Sequence, residues 1–242
     1  MILYCGDTNQ NSAAAYLIGI LQNAQKEFQY INSATAMNEE NLNNCQCLIL
    51  SDYPSQNISE VVEEKIIEKV KSGMGFLMIG GWESFHGKNG EYNRRKLSEI
   101  IPVECLNEDD RRNFSQPCLL IPQQEHSILE DLPFYNQPPL IGGLNEVVCK
   151  KNCTELIIAS SFSVDGDLYF KAGKEFPLLV TGEVEKGKTA AFMSDVAPHW
   201  VGGFVDWGDN RVSEKVGDNE MEFGDLYCKF FQQLVDWCSY NE

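Results

Sequence analysis

Apolar residues fall in short blocks through the first third of the chain, and the period of each block predicts its element. Ile2 to Cys5 is continuously apolar and stops at Gly6-Asp7, the pattern of a short buried strand. Ser12 precedes an Ala-rich stretch in which Tyr16, Leu17, Ile20, Leu21 and Ala24 recur at helical spacing, which predicts a helix capped by Ser12. Phe28 to Ile31 predicts a second strand. Cys47 to Leu50, apolar on both faces, predicts a third that ends at Ser51-Asp52. Val62, Ile66, Ile67 and Val70 behind Ser59 predict an amphipathic helix stopped at Gly73. Phe76 to Ile79 then predicts a fourth strand running into Gly80-Gly81. Strand, helix and strand at this spacing imply right-handed crossovers and a parallel sheet.

The second half is less regular. Cys118 to Ile121, Glu146 to Cys149, Leu156 to Ala159, Leu178 to Thr181 and Thr189 to Met193 predict short strands. Glu185-Lys186-Gly187-Lys188 reads as a turn between two of them, so antiparallel strands are expected at the sheet edges. A helix is predicted from about Phe223 to Trp237, with Leu226, Phe230, Phe231, Leu234 and Trp237 on one side. No repeat, low-complexity tract or linker divides the sequence, so residues 1–242 are expected to form one domain.

Composition narrows the function. At 242 residues with 43% hydrophobic content the chain can bury a large core. Its net charge of −17 repels phosphate, which argues against nucleic-acid and anionic-membrane partners. No apolar run reaches the length of a membrane span, and a cytoplasmic protein is expected. The nine cysteines lack the spacing of a disulfide framework or a zinc site. Cys5, Cys47, Cys118 and Cys149 read as small core residues, and neither metal nor cofactor is expected.

The candidate chemistry sits at the strand ends. Asp7, Ser51-Asp52 and Glu83-Ser84-His86 each follow a predicted strand, and Thr189 to Met193 opens into Ser194-Asp195-Val196-Ala197-Pro198-His199-Trp200. Ligands of open α/β sheets bind beyond the carboxyl ends of the strands, where glycines such as Gly80 and Gly81 permit close backbone approach. Asp195 beside His199 could orient an imidazole for acid–base work or help hold a metal. The plainer reading has Asp195 capping backbone amides and His199 packing beside Trp200. His126 reads as a helix-start residue, and Glu108-Asp109-Asp110-Arg111-Arg112 as a solvated loop. Phosphate-loop, serine-elbow, GxCxG and HExxH patterns are absent.

LILSDY (Leu48–Tyr53), GFLMIGGWESFHG (Gly75–Gly87), IIPVE (Ile100–Glu104), the Asp109-Asp110-Arg111 loop, GGLNEV (Gly142–Val147) and PLLVTGEVEKGKTAAFMSDVAPHW (Pro177–Trp200) occur in this order along nearly the whole chain. Together they resemble the class I glutamine amidotransferase-like family of cytoplasmic proteins. The resemblance implies an α/β, flavodoxin-like three-layer sandwich with a mainly parallel central sheet, related in fold to trehalose-utilisation-type proteins. It does not carry the glutaminase chemistry. A class I enzyme needs a cysteine at the strand-to-helix elbow, and here that stretch reads Ile79-Gly80-Gly81-Trp82. No His-x-Glu follows at His199.

The leading expectation is a small-molecule pocket on this scaffold. The Gly80-Gly81 amides would donate to an anionic or carbonyl group, His199 would bind or exchange a proton, and Asp195 would orient it. Trp82 and Trp200 would form walls, with Asp52, Ser84 and His86 nearby. One alternative is a His199-dependent hydrolase or lyase, with or without a metal. Another is a homo-oligomeric interaction module whose seam uses Phe204, Trp207, Phe223, Phe230, Phe231 and Trp237.

Overall fold

A computed structural model describes Met1–Tyr240; residues 241–242 lie outside the described residues. The predicted alternation forms as β1 (Ile2–Gly6), α1 (Ala14–Asn23), β2 (Phe28–Ile31), β3 (Cys47–Ser51), α2 (Glu60–Lys71) and β4 (Gly75–Ile79). All residues of β1, β3 and β4 are buried, as continuous apolar runs require of strands covered on both faces. Ser59 caps α2 by accepting from the Val62 amide at 3.4 Å. Glu60 and Glu63 in its first turn and Lys69 and Lys71 in its last oppose the helix dipole. Ser12 does not cap α1: its hydroxyl accepts from the Asn9 amide, and the helix begins after Ala13 without a side-chain cap.

The second half supplies β5 (Val103–Cys105), β6 (Arg111–Pro122), β7 (Leu140–Asn145), β8 (Val147–Cys149), β9 (Thr154–Val164), β10 (Phe170–Val184) and β11 (Gly187–Phe192). After these come α3 (Pro198–Val201), β12 (Arg211–Val216), β13 (Asn219–Gly224) and α4 (Asp225–Ser239). One nine-stranded sheet runs through both halves in the order β2-β1-β3-β4-β11-β10-β9-β6-β7. Its first five strands are parallel and the remaining pairings are antiparallel, so the sheet is mixed. The sequence predicts antiparallel strands only at the edges. The difference lies in the connections: Glu185-Lys186 between β10 and β11, and residues 165–169 between β9 and β10, are too short for the crossover a parallel pair needs.

Antiparallel β12 and β13 sit with α1 and α4. The aromatics expected to form an oligomer seam are core instead. Phe204, Trp207, Phe223, Phe230 and Phe231 are buried, and Phe192 meets Phe230 and Phe231 at ring separations of 5.7 and 5.4 Å. Trp237 is half-buried, 5.5 Å from the His126 ring. Most of the apolar stripe of α4 thus packs against its own sheet, with Leu226 and Trp237 half-buried at its margin. All nine cysteines are free thiols, and Cys5, Cys47 and Cys118 are core residues, whereas Cys149, expected in the core, is only half-buried because it ends the short strand β8.

Candidate functional site

The parallel strands end in one row. Gly6 is opposite Ser51, Ser51 opposite Ile79, and Ile79 opposite Phe192. Asp7, Asp52, Gly80-Gly81 and Ser194-Asp195 therefore leave the sheet along a common edge. Within that row the chain reverses its direction of travel between β1 and β3, since β2 lies on one side of β1 and β3 on the other. Ligands of open α/β sheets bind at such switch points, and Asp7 and Asp52 follow the two strands that flank this one.

Gly80 and Gly81 are fixed by the fold. The Gly80 amide donates to Phe192 O (2.8 Å) and Ser194 O (3.0 Å), because β11 lies directly beside β4. Gly81, at φ +151°, exchanges two bonds with one side chain: its amide donates to Asn145 Oδ1 (2.9 Å) and its carbonyl accepts from Asn145 Nδ2 (3.0 Å). Both amides are thus engaged within the protein, which corrects the expectation that they donate to a ligand. Asn145 Nδ2 also donates to Asp110 Oδ1 (2.8 Å), and the Asp110 carboxylate accepts from the His86 (2.9 Å) and Gly87 (3.0 Å) amides. Asp110 is fully buried, so the acidic loop expected to be solvated supplies an internal clamp. Burial pushes the Asp110 carboxyl up, against the pull of these hydrogen bonds.

Ser84 closes the same turn, donating to Ile79 O (2.6 Å) and accepting from the Asp52 amide (3.0 Å). The Asp52 carboxylate accepts from the Glu83 amide and lies over Gly81, where a side chain would collide with it. Burial first, then Asp195 and Glu83, push Asp52 up to about 7 against two backbone hydrogen bonds. Asp195 Oδ1 accepts from the Val196 (2.6 Å) and Ala197 (3.1 Å) amides, and burial pushes its carboxyl up to about 6. Asp7 is fully buried and accepts from the Tyr4 hydroxyl; burial, Asp195 and Asp52 raise it well above the carboxylate range. Asp7 (φ +49°), Thr8 (φ +63°) and Asp52 (φ +47°) all hold left-handed backbone. For a β-branched threonine that is strained, and strain of this kind gathers at ligand sites.

The expected His–Asp pair does not form. Among the described residues no hydrogen bond joins Asp195 to His199; Asp195 caps backbone amides, and His199 is exposed with its ring 6.1 Å from that of Trp82. Trp82 is 43% exposed, and the Arg111 guanidinium lies 4.7 Å from its ring centroid. Arg111 is held in turn by Asp109 through Nε (2.8 Å) and Nη2 (2.6 Å). Trp200 is no pocket wall: it is buried on Gly143, and its indole donates to Asn113 Oδ1 (2.9 Å). His86 is half-buried with Nδ1 3.2 Å from Asn93 Oδ1. Asp7, Asp52 and Asp195 therefore follow the strand ends of one edge, with Trp82, Arg111 and His199 beside them and Gly80, Gly81 and Ser84 in the turn after β4, while Trp200 belongs to the core.

A cavity of about 540 Å³ lies elsewhere, lined by the Pro122–Tyr135 segment, including His126, Phe134 and Tyr135. His126 starts the short turn Ser127–Leu129, its Nδ1 accepting from the Ile128 amide at 3.2 Å, the helix-start role its sequence predicts. Among the described residues no group of three His, Cys, Asp or Glu side chains is arranged to hold a metal ion.

The mixed sheet with polar groups gathered at its carboxyl edge defines an α/β protein of the amidotransferase-like class. Residues 5–218 match the family described as "Putative glutamine amidotransferase", and the chain belongs to that family. No curated protein matches the sequence. Among solved structures it is similar to the cytoplasmic protein STM3548 from Salmonella typhimurium, with TM-score 0.76 and 23% identity over 98% of each chain. It is equally similar to the cytoplasmic protein STM1381 from Salmonella typhimurium LT2, with TM-score 0.76 and 24% identity over 98% of each chain. The mmIFT52 N-terminal domain has TM-score 0.64 and 12% identity, covering 100% of this chain and 98% of its own. At these identities the likeness is one of fold. Among the described residues no helix is long and apolar enough to cross a membrane.

Proposed function

We propose that this chain is a small-molecule-binding member of its family that works without cysteine chemistry, in the cytoplasm, as two of the similar structures are described. The observation that carries the reading is the carboxyl cluster at the β1/β3 crevice, held by left-handed backbone at Asp7, Thr8 and Asp52 and rimmed by exposed Trp82 and His199. The strand order 2-1-3-4 at this crevice is that of flavodoxin-like sheets, which supports the three-layer reading of the parallel half. Glutaminase chemistry has little support. The elbow reads Ile79-Gly80-Gly81-Trp82, and burial pushes the Cys105 and Cys118 thiols up to about 12 and about 11, far from the thiolate an attack needs.

A thermal-shift screen against sugars, amino acids, carboxylates, amines and divalent metals tests this, with Asp52→Asn and His199→Ala in parallel. A ligand at about 100 times its Kd adds about 2.7 kcal/mol, a rise of roughly 5–10 °C for a chain of this size. The expected result is a shift lost in Asp52→Asn. Absence of any shift across the screen would sink the reading. Turnover lost in His199→Ala would instead favour the hydrolase or lyase, which the engagement of Asp195 with Val196 and Ala197 disfavours.

One observation favours assembly as a second reading. The tip between β9 and β10 exposes Leu168, Tyr169 and Phe170 side by side on an otherwise polar surface. Light scattering at micromolar concentration checks it: a dimer reduced to monomer by Phe170→Ser supports the reading, and a wild-type monomer removes it.

A further inference from the structure

We infer that two copies of this chain pair by seating the β9–β10 tip of each in a cleft beside the same hairpin of the other. The inference rests on the assembly reading above. The cleft opens where the sheet forks. Pairing of β6 with β9 stops at Cys118 and Ser161, and the next β6 residue is Pro117, which has no N–H to give a ladder. β6 also parts from β7 there, since residues 114–117 lie opposite Gly142 alone. Between the separated strands lies a cleft of about 500 Å³, lined by Phe114, Ser115 and Gln116 of β6 and by Ser161, Phe162 and Ser163 of β9. The Gln116 side chain stands in for the missing strand, accepting from the Val164 amide (2.6 Å) and donating to its carbonyl (2.9 Å). That edge is thereby closed to strand addition, so whatever enters the cleft is held by side chains.

The tip has the complementary character. Leu168, Tyr169 and Phe170 are 74, 71 and 66% exposed, and the Phe170 ring stands 5.9 Å from that of Phe162 at the cleft wall. Apolar tip and cleft thus lie side by side on one molecule. A two-fold axis beside them brings each to its counterpart on the second copy. Charge selects the same partner. The cleft lining carries no charged residue. At its margin Arg112 and Lys174 share the carboxylate of Glu146, and Lys171, opposite Ser163, makes no ion pair among the described residues. These cations outnumber Glu146 and Glu175, so the margin is positive on a chain whose net charge is −17. Asp165 and Asp167 lead into the apolar tip, and reciprocal seating sets them against that margin, where opposite charge steers the encounter. Covering one tip and the cleft it enters removes roughly 700 Å² from solvent, and two such seatings about 1,400 Å², the size of a specific dimer interface.

The test places a photoreactive benzoyl-phenylalanine at Tyr169 and irradiates an equimolar mixture of isotope-labelled and unlabelled protein at micromolar concentration. Links between labelled and unlabelled peptides are expected, joining position 169 to residues 113–116 or 161–163. In sedimentation the wild type is expected as a dimer. Two variants at exposed sites, Leu168→Ser with Tyr169→Ser in the tip and Ser163→Glu in the cleft, should each raise the dimer Kd at least about tenfold with unchanged far-UV circular dichroism. Links from tip to tip, or a dimer weakened by the tip variant but not by Ser163→Glu, would overturn the seating and leave the assembly reading intact. A monomeric wild type, or a dimer indifferent to both variants, would overturn both.

Discussion

Asn145 shows how one side chain can set a whole edge. It closes both backbone groups of Gly81 and reaches Asp110, so it stands at the join between the β4 turn and the segment before β6. Asn145→Ala would strand the Gly81 amide and one bond of a buried carboxylate, at a cost of roughly 2–4 kcal/mol. A fall in the chemical-denaturation midpoint with unchanged m-value would show it. The raised carboxyls make a second prediction at this scale. Asp52 moves from 3.8 to about 7 and Asp195 from 3.8 to about 6. Each binds its proton more tightly folded than unfolded, so its stabilising contribution is complete below about pH 4 and is lost as pH rises through the folded pKa. Between about pH 4 and pH 7.5 these two groups therefore lower stability as pH increases. Asp52→Asn should flatten that decline and leave the protein roughly 1–3 kcal/mol more stable than wild type at about pH 8. Coincident denaturation curves for the two proteins at pH 8 would contradict this.

Among the elements, α2 depends on a buried ion pair. Glu63 is nearly fully buried, takes Arg95 at 3.1 Å and accepts from the Leu97 amide at 2.8 Å, tying the helix to the turns that follow β4. Removing only one charge leaves the other stranded, so Arg95→Met should cost about 3–5 kcal/mol. The paired change Arg95→Met with Glu63→Gln should recover part of it in a double-mutant cycle. Elements differ in how well the sequence announces them. β1, β3, β4 and α2 are legible because both faces of each strand, or one stripe of the helix, are apolar within a few residues. β12 and β13 are not, since alternate positions such as Ser213, Lys215, Glu220 and Glu222 face solvent and leave too little hydrophobic signal. Of β9 and β10 only the buried runs Leu156–Ala159 and Leu178–Thr181 are legible, because the rest of β9 is largely half-buried and residues 170–175 of β10 are exposed.

For the whole molecule, a net charge of −17 means that folding gathers like charges. Added salt should screen this, so raising NaCl from about 20 to about 200 mM, which shortens the Debye length to under about 10 Å, should raise Tm by a few degrees. Buried repulsion among Asp7, Asp52 and Asp195 lies beyond the reach of that screening and should still respond to pH at the higher salt.

The sequence by itself determined the parallel half of the sheet, the core character of Cys5, Cys47 and Cys118 and the edge on which polar groups collect. Those follow from local patterns: apolar period, caps, and glycines at strand ends. Membership of the amidotransferase-like family was also legible, because its motifs keep their order along nearly the whole chain. Only the tertiary structure decided which strand-end residues are free to act. The Gly80 and Gly81 amides looked available until β11 and Asn145 occupied them, and Trp200 looked like a wall until Gly143 received it. Asp110 and Asn145, 35 residues apart, became one clamp. A residue's spare hydrogen-bonding capacity and charge depend on neighbours distant in sequence, and those neighbours are fixed only when β7 and β11 come to lie where they do.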